Sequence, residues 1–297
     1  MLSFVILWKE SFFTALAHRM FGAPKTPNKF FKKAGHTMLI IQPIGGLCNR
    51  MRAINSAMVL AKKQNKKLKV IWNVNAELGC PFEELFEPTD AFTVLNIHSK
   101  WNPAKLFYQF TRKRLGNDEI RANRDAHGLT DDFAATLNCP LYIATEEHFF
   151  ECHDYSAFVP TSDIAARIDA LTSSFGSHNV GVHIRRTDNK PAIGKSSTRA
   201  FIDSMQKEIT LFPDTKFYLA TDDLNEEANL RRIFPDRIIS NETRDLSRDS
   251  ISGIKDALLD LMCLARTDKI IGSFFSSFTD IAADWNGIPK CVAGEDE

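Results

Sequence analysis

The sequence predicts an α/β fold: parallel sheets covered by helices on both faces, arranged as two domains facing a cleft. Three observations carry this. From residue 163 onward, short apolar runs alternate with stretches of helical periodicity, the rhythm of a parallel sheet with crossover helices. Between Met38 and Val74 the chain reads strand, Gly-containing loop, helix, strand. A length of 297 residues is long for one core and comfortable for two.

Taken in order, residues 1–37 stand apart. Leu2 to Phe21 has the pattern of an amphipathic helix, with Phe4, Leu7, Trp8, Phe12, Ala15, Leu16 and Arg19 distributed around it; a Pro- and Lys/Phe-rich connector runs on to Gly35. The first domain spans 38–155. Met38–Gln42 is its first strand, Pro43–Arg50 a loop, and the following helix has Met51, Ile54, Met58 and Ala61 on one face. Leu68–Val74 is the next strand. Between 80 and 138 the pattern is weak, with helices expected at Phe82–Phe86 and Pro103–Leu115, and Leu141–Ala144 closes this half as a strand. The second domain, 156–297, is more regular. Helix Asp163–Phe175 leads to strand Asn179–Ile184, and helix Thr198–Phe212 carries Phe201, Met205, Ile209 and Phe212 on one stripe. Strand Lys216–Ala220, helix Leu224–Phe234, strand Arg237–Ser240 and helix Ile251–Ala265 follow. Strand Lys269–Gly272, helix Ser277–Trp285 and strand Lys290–Val292 complete the chain.

Composition narrows the function classes. Lys plus Arg and Asp plus Glu both number 37, so the overall charge offers no attraction to nucleic acid. The basic runs at 62–63, 66–69 and 112–114 read as solvated helix faces. The six cysteines contain no Cys-x-x-Cys pair, which argues against a zinc knuckle or disulfide framework and fits reduced thiols in a cytoplasmic protein. No His/Cys/Asp cluster has metal-ligand spacing, and Cys152-His153-Asp154 reads as incidental. The apolar start Met1–Trp8 stops at Lys9, far short of the ~20 residues a membrane span needs. It also lacks the marks of a leader peptide. The expectation is a cytoplasmic protein whose residues 1–21 either pack on its own surface or touch a membrane peripherally.

The residues that bear chemistry gather at the carboxyl ends of strands, where open α/β sheets bind ligands. Strand 179–184 runs into His183, Arg185, Arg186 and Asp188. Two guanidiniums there can grip a phosphate by bidentate, charge-assisted hydrogen bonds; pairing with surface carboxylates is the plainer alternative. The loop Gly45-Gly46-Leu47-Cys48-Asn49-Arg50 lets backbone approach a ligand and opens a helix, whose N-terminus attracts anions. It is equally a tight turn, and it matches neither the dinucleotide fingerprint nor the Walker loop. Asp222 and Asp223 end another strand, and can bind a metal, accept from sugar hydroxyls or cap the next helix. Ile270–Phe278 passes through Ser273, Ser276 and Ser277 into a helix, offering hydroxyls and N–H groups to an anion or simply a cap. Arg, Asp and Ser on one sheet edge together fit a phosphate diester attached to a polyhydroxylated group.

These segments, with Leu258-Leu259-Asp260-Leu261, match in order and spacing the motifs of a known family. The sequence resembles the alpha-1,6-fucosyltransferases, among them the rhizobial nodulation-factor enzymes, within the wider protein O-fucosyltransferase superfamily. The resemblance is best from about 178 to 285, rests on Gly-Gly-x-x-Asn-Arg in the first half, and does not cover residues 1–37. It implies a GT-B type fold of two Rossmann-like domains with parallel sheets facing a cleft, GDP-fucose lying mainly on the second. It implies that Arg185 stabilises the departing GDP, that His183 and Asp260 contact the nucleotide with Asp260 accepting from the guanine edge, and that Ser276, Ser277 and Phe278 hold the diphosphate. Asp222 and Asp223 match an acidic pair needed in the family, Asn49 a group reaching across the cleft, and Gly45, Gly46, Arg50 and Arg186 complete the donor-binding set.

The implied reaction is inverting fucosyl transfer through an oxocarbenium-like state, with an Arg beside helix N-termini meeting the charge that grows on GDP. That chemistry needs no metal and no cofactor beyond the GDP-sugar donor. The acceptor would be an oligosaccharide or glycolipid. One departure stands out: the family's glutamate a few residues after Arg-Arg has no counterpart in Asn189–Lys195. Asp188 is the nearest carboxylate and is counted with Arg185 among the candidate catalytic residues, but pairing with a neighbouring arginine is the job expected of it, which leaves the base unassigned. A transferase for another GDP-sugar, or a non-catalytic nucleotide-sugar-binding relative, are the alternatives.

Overall fold

The computed structural model describes residues 38–187 and 194–295; the helix and connector expected before residue 38, and Asp188, lie outside the described residues. The described residues form one compact unit built on two five-stranded sheets whose strand pairs are all parallel. The first comprises β1 (Met38–Pro43), β2 (Lys67–Asn73), β3 (Thr93–Ile97) and β4 (Lys113–Leu115) and, after a short hairpin of β5 (Arg124–Asp125) and β6 (Gly128–Leu129), β7 (Leu141–Thr145). Its order is β3-β2-β1-β7-β4. The second comprises β8 (Asn179–Ile184), β9 (Lys216–Thr221), β10 (Ile238–Ile239), β11 (Lys269–Gly272) and β12 (Lys290–Val292), ordered β10-β9-β8-β11-β12.

Both orders run outward from the first strand and then reverse, leaving a crevice at the carboxyl ends beside β1 and β8. The apolar strands suit this. Leu39, Ile40 and Ile41 of β1 are fully buried, and every residue of β8 is buried, as expected of central parallel strands covered on both faces. Helix Leu47–Lys63 packs on β1 and β2 and also against helix Ser277–Asn286, which belongs with the second sheet. Burial therefore wraps it, taking in Arg50, Asn55 and Ser56, and the single apolar face expected of it is too narrow a description; Met58 is only half-buried. Tyr155 stacks on Trp285 at 5.1 Å and 15°, so residues just past the first sheet lie against that same helix. The apolar core is continuous, with Leu39, Met51 and Phe86 in one cluster with Leu258, Leu261 and Ile281.

The weakly patterned stretch differs most from expectation. The helix predicted over Pro103–Leu115 ends at Thr111, and Lys113–Leu115 instead pairs with Leu141–Ile143 as an edge strand. A ladder formed with residues so distant leaves no local periodicity to read. Phe82–Phe86 is a single 3-10 turn, Phe82–Glu84, packed edge-on against Trp72. Strand β3 and the short helices Asn117–Ala122 and Asp131–Thr136 add to what the sequence suggested. Among the described residues no helix is long and apolar enough to cross a membrane.

Candidate functional site

A cleft of about 520 Å³ opens at the carboxyl ends of both sheets. One wall is the loop after β1, with Gly45, Gly46 and Asn49, together with Ala76 and Glu77 after β2. The other is built from the ends of β8 and β9, the loop 244–248, the inner face of helix Ile251–Leu264, and Ser277 and Phe278.

The glycine loop is shaped by Gly45, whose φ of 81° is left-handed and unfavourable for other residues. Behind it lies Arg50, fully buried. Its guanidinium donates to the Gly45 carbonyl at 2.7 Å, the Asn73 carbonyl at 2.5 Å and Asn75 Oδ1 at 3.1 Å, and lies over the Trp72 ring at 4.9 Å. It is thus fully used inside the protein and does not line the cleft, which corrects its expected place among the donor-binding groups. Its visible role is to fasten the loop to the end of β2. Asn49 does face the cleft, and its Oδ1 accepts from Ser277 Oγ at 3.0 Å, tying the two walls together.

The end of β8 places His183 in the cleft, nearly buried. Its Nδ1 lies 2.9 Å from Thr279 Oγ1 and 3.3 Å from Ser276 Oγ, and its ring stacks on Phe278 at 4.7 Å and 25°. Thr279 reaches that position because Gly272 has no Cβ; one there would stand 2.3 Å from Thr279 Cγ2. Burial, reinforced by the Arg185 charge, pushes the imidazole down to about 4, so it is neutral at physiological pH. Arg185 lines the cleft, half-buried, with its backbone N–H donating to Ser273 Oγ at 3.0 Å. Arg186 does not. It donates to the Ser196 carbonyl at 2.8 Å, pairs with Glu226 at 3.2 Å and covers the Phe201 ring, so its expected donor contact is replaced by an internal anchor.

The acidic pair divides. Asp222 lines the cleft and accepts from the N–H groups of Arg186 at 2.7 Å and Thr187 at 3.3 Å and from Thr187 Oγ1 at 2.5 Å, fixing the backbone just after Arg185. Asp223 caps helix Leu224–Ile233, accepting from the N–H groups of Asn225 and Glu226, and lies outside the lining. The serines divide in the same way. Ser276 is buried and caps helix Ser277–Asn286, which places it behind His183, whereas Ser277 and Phe278 face the cleft at that helix's N-terminus. In both pairs the first helix turn needs an acceptor for its N–H groups, and one member supplies it.

Asp260 lies on the inner face of its helix, almost fully buried, and accepts from the Tyr218 hydroxyl at 2.7 Å. Burial raises its carboxyl to about 7, partly offset by the Tyr218 bond. A carboxyl so poised takes up negative charge readily once further N–H donors arrive.

The sequence reading passed over Glu77 and the loop Arg244–Arg248. The loop follows β10, so the strand-end rule that flagged the other segments applies here too, and its polar run Arg-Asp-Leu-Ser-Arg was the signal available. Arg244 is sunk against Glu227 at 2.5 Å, and Asp245 accepts from Ser250 and Ser252, both at 2.6 Å, which holds its carboxyl down to about 2.

No protein-family model matches the chain, and no curated protein sequence matches it. Solved structures do. NodZ alpha-1,6-fucosyltransferase soaked with GDP-fucose superposes with a TM-score of 0.61 at 20% identity, over 84% of this chain and 92% of that one. POFUT1 in complex with GDP gives 0.56 at 13% identity, over 88% and 99%. A mutant of Arabidopsis thaliana FUT1 in complex with GDP gives 0.57 at 15% identity, over 93% of this chain and 76% of that one. The chain has the parallel α/β fold of these GT-B fucosyltransferases.

Proposed function

We propose that the protein is a glycosyltransferase that moves fucose from GDP-fucose to a hydroxyl of a glycan or glycolipid acceptor, with inversion and without a metal ion. One observation carries this reading. A single cleft joins a buried carboxyl that keeps its proton up to about 7, a neutral imidazole stacked on a phenyl ring, a guanidinium and a helix N-terminus, in a fold whose solved examples include one soaked with GDP-fucose and one in complex with GDP.

Asp260 accepts from the two N–H donors of the guanine edge, and Tyr218 keeps it oriented. With His183 Nδ1 held by hydroxyls, Nε2 is the nitrogen left for the nucleotide. Arg185 and the first N–H groups of helix Ser277–Asn286 meet the charge that develops on the diphosphate as the bond to fucose C1 breaks. Asp222 supports this by fixing the loop after Arg185, so the guanidinium needs little reorganisation at the moment of reaction. The two sheets act as donor and acceptor halves dividing near residue 155. The reaction belongs in the cytoplasm, with residues 1–21 as a peripheral membrane contact.

The test is titration with GDP, GDP-fucose and UDP, followed by GDP-fucose with a glycan array and parallel measurement of released GDP. Guanine-selective binding with fucose appearing on an array member supports the reading. Equal affinity for UDP refutes the assigned nucleotide contacts, and tight GDP binding with neither transfer nor GDP release identifies a non-catalytic relative instead.

A further inference from the structure

Helix Pro103–Thr111 carries an outer face that the cleft does not use. Its inner face is fully occupied. Tyr108 packs on the cluster of Ile40, Ile71, Ile97 and Tyr142, Gln109 donates to the Tyr142 hydroxyl at 3.3 Å, and Lys105 reaches Asn73 Oδ1 at 3.5 Å. On the opposite side, at helical spacing, stand Pro103, Phe107 and Phe110, and Trp101 comes just before the Asn102 cap. Trp101 is 72% exposed, Phe107 55% and Phe110 70%. Large aromatics gathered on one short helix form a patch, unlike the scattered apolar residues of an ordinary surface.

Cations border this patch. Two basic runs that read in the sequence as helix faces fall on strands instead, Lys67 and Lys69 on β2 and Lys113 and Arg114 on β4. Strand register decides which way they point. Lys67 lies beside Met38, Lys69 beside Ile40 and Arg114 beside Tyr142, so these three share the sheet face that the helix covers. Arg112 lies over the Tyr108 ring at 5.3 Å at the helix end, and exposed Lys100 precedes its start. Residues 64–76 and 91–117, which supply the helix and these cations, contain no Asp or Glu.

This combination selects its occupant. Aromatic rings bordered by Lys and Arg suit the interface of an anionic bilayer, with the rings at the headgroup level and the cations on lipid phosphates. A second copy docked symmetrically through the same face would bring basic border against basic border.

We propose that the outer face of helix Pro103–Thr111 docks on anionic lipid membranes, Trp101 and Phe107 entering the headgroup region while Lys67, Lys69 and Arg114 meet lipid phosphates. This surface belongs to the folded unit and is separate from residues 1–21. The loop carrying Trp101 follows β3, at the sheet edge where the cleft opens, so docking brings that edge towards the lipid surface. The contact holds whichever donor the cleft takes.

The test sediments the full-length chain with sucrose-loaded vesicles of phosphatidylcholine alone or with an equal part of phosphatidylglycerol. Wild type is compared with Trp101→Ser/Phe107→Ser and with Lys67→Gln/Arg114→Gln, all four positions being exposed. Wild type is expected to bind only the vesicles containing phosphatidylglycerol, and less so as salt is raised. Each double variant is expected to bind them on the order of tenfold more weakly, with GDP affinity and circular dichroism unchanged. Lipids brominated in the acyl chain should quench tryptophan fluorescence of the wild type, and the quenching should fall in Trp101→Phe. Absence of wild-type binding overturns the proposal. So does full binding by both double variants, which would leave the membrane contact to other residues. Full binding by the aromatic variant alone would mean adsorption by charge and overturn docking through this face. A wild-type dimer that Trp101→Ser/Phe107→Ser turns into a monomer, without vesicle binding by either, would assign the face to a second copy and overturn the lipid.

Discussion

Replacing Asp260 by Asn tests whether a costly buried acid is kept for the nucleotide. In the folded protein the carboxyl holds its proton up to about 7, against an ordinary value of 3.8. Between those values the unfolded chain has released the proton and the native chain has not, so native stability falls as pH climbs and levels off above about 7. At ~1.4 kcal/mol per pH unit, that interval corresponds to at most ~4 kcal/mol of destabilisation at neutral pH. Asparagine has nearly the same shape, accepts from the Tyr218 hydroxyl through its carbonyl, and cannot ionise. The stability difference between Asp260→Asn and the wild type is therefore expected to be near zero at pH 4 and to grow to several kcal/mol at pH 8, read by urea unfolding at each pH. Taking the difference cancels the titration of groups common to both proteins. Binding should move the other way. GDP supplies donors that favour the carboxylate, so wild-type affinity should fall towards tenfold per pH unit below about 7, and the variant should bind GDP on the order of 10²-fold more weakly at pH 8. A variant no more stable than the wild type at pH 8 would refute the burial argument. An unchanged GDP affinity would remove Asp260 from the site.

Further expectations concern the rest of the cleft. Arg185→Ala should slow GDP release from GDP-fucose by ~10²-fold or more, about 3 kcal/mol of barrier, as measured by single-turnover kinetics; near-normal turnover would refute its role. Arg50→Met should leave two carbonyls and Asn75 without their donor and destabilise the fold by roughly 3 kcal/mol in chemical denaturation. If Arg50 instead served the donor directly, GDP affinity would collapse while stability held. His183 protonates near 6.5 when unfolded but only near 4 when folded, so stability should drain away as pH falls between those values, by up to about 3 kcal/mol. His183→Gln should flatten that limb of the stability curve. A double-mutant cycle on Asn49→Ala and Ser277→Ala should show coupling of about 1 kcal/mol, the worth of the hydrogen bond across the cleft.

What the chain declared by itself was whatever rests on neighbours in sequence. Short apolar runs such as Leu39–Ile41 and Val180–Val182 suit central parallel strands, and the polar groups that follow them then emerge at one sheet edge. That logic puts His183, Arg185, Asp222 and Ser277 at or just past the carboxyl ends of strands, and all four line the cleft. Tertiary structure decided the rest. Edge strand Lys113–Leu115 exists because Leu141–Ile143 offers it a ladder. Arg50 and Arg186 are cations like Arg185, yet fixed carbonyls and carboxylates lie within their reach, and folding turns both inward. Between Asp222 and Asp223, and between Ser276 and Ser277, helix geometry chose one member to cap and sent the other to the cleft. Residue type states which charges and hydrogen bonds are on offer. Which of them are consumed within the fold, and which remain for a ligand, depends on distances between segments far apart in the chain.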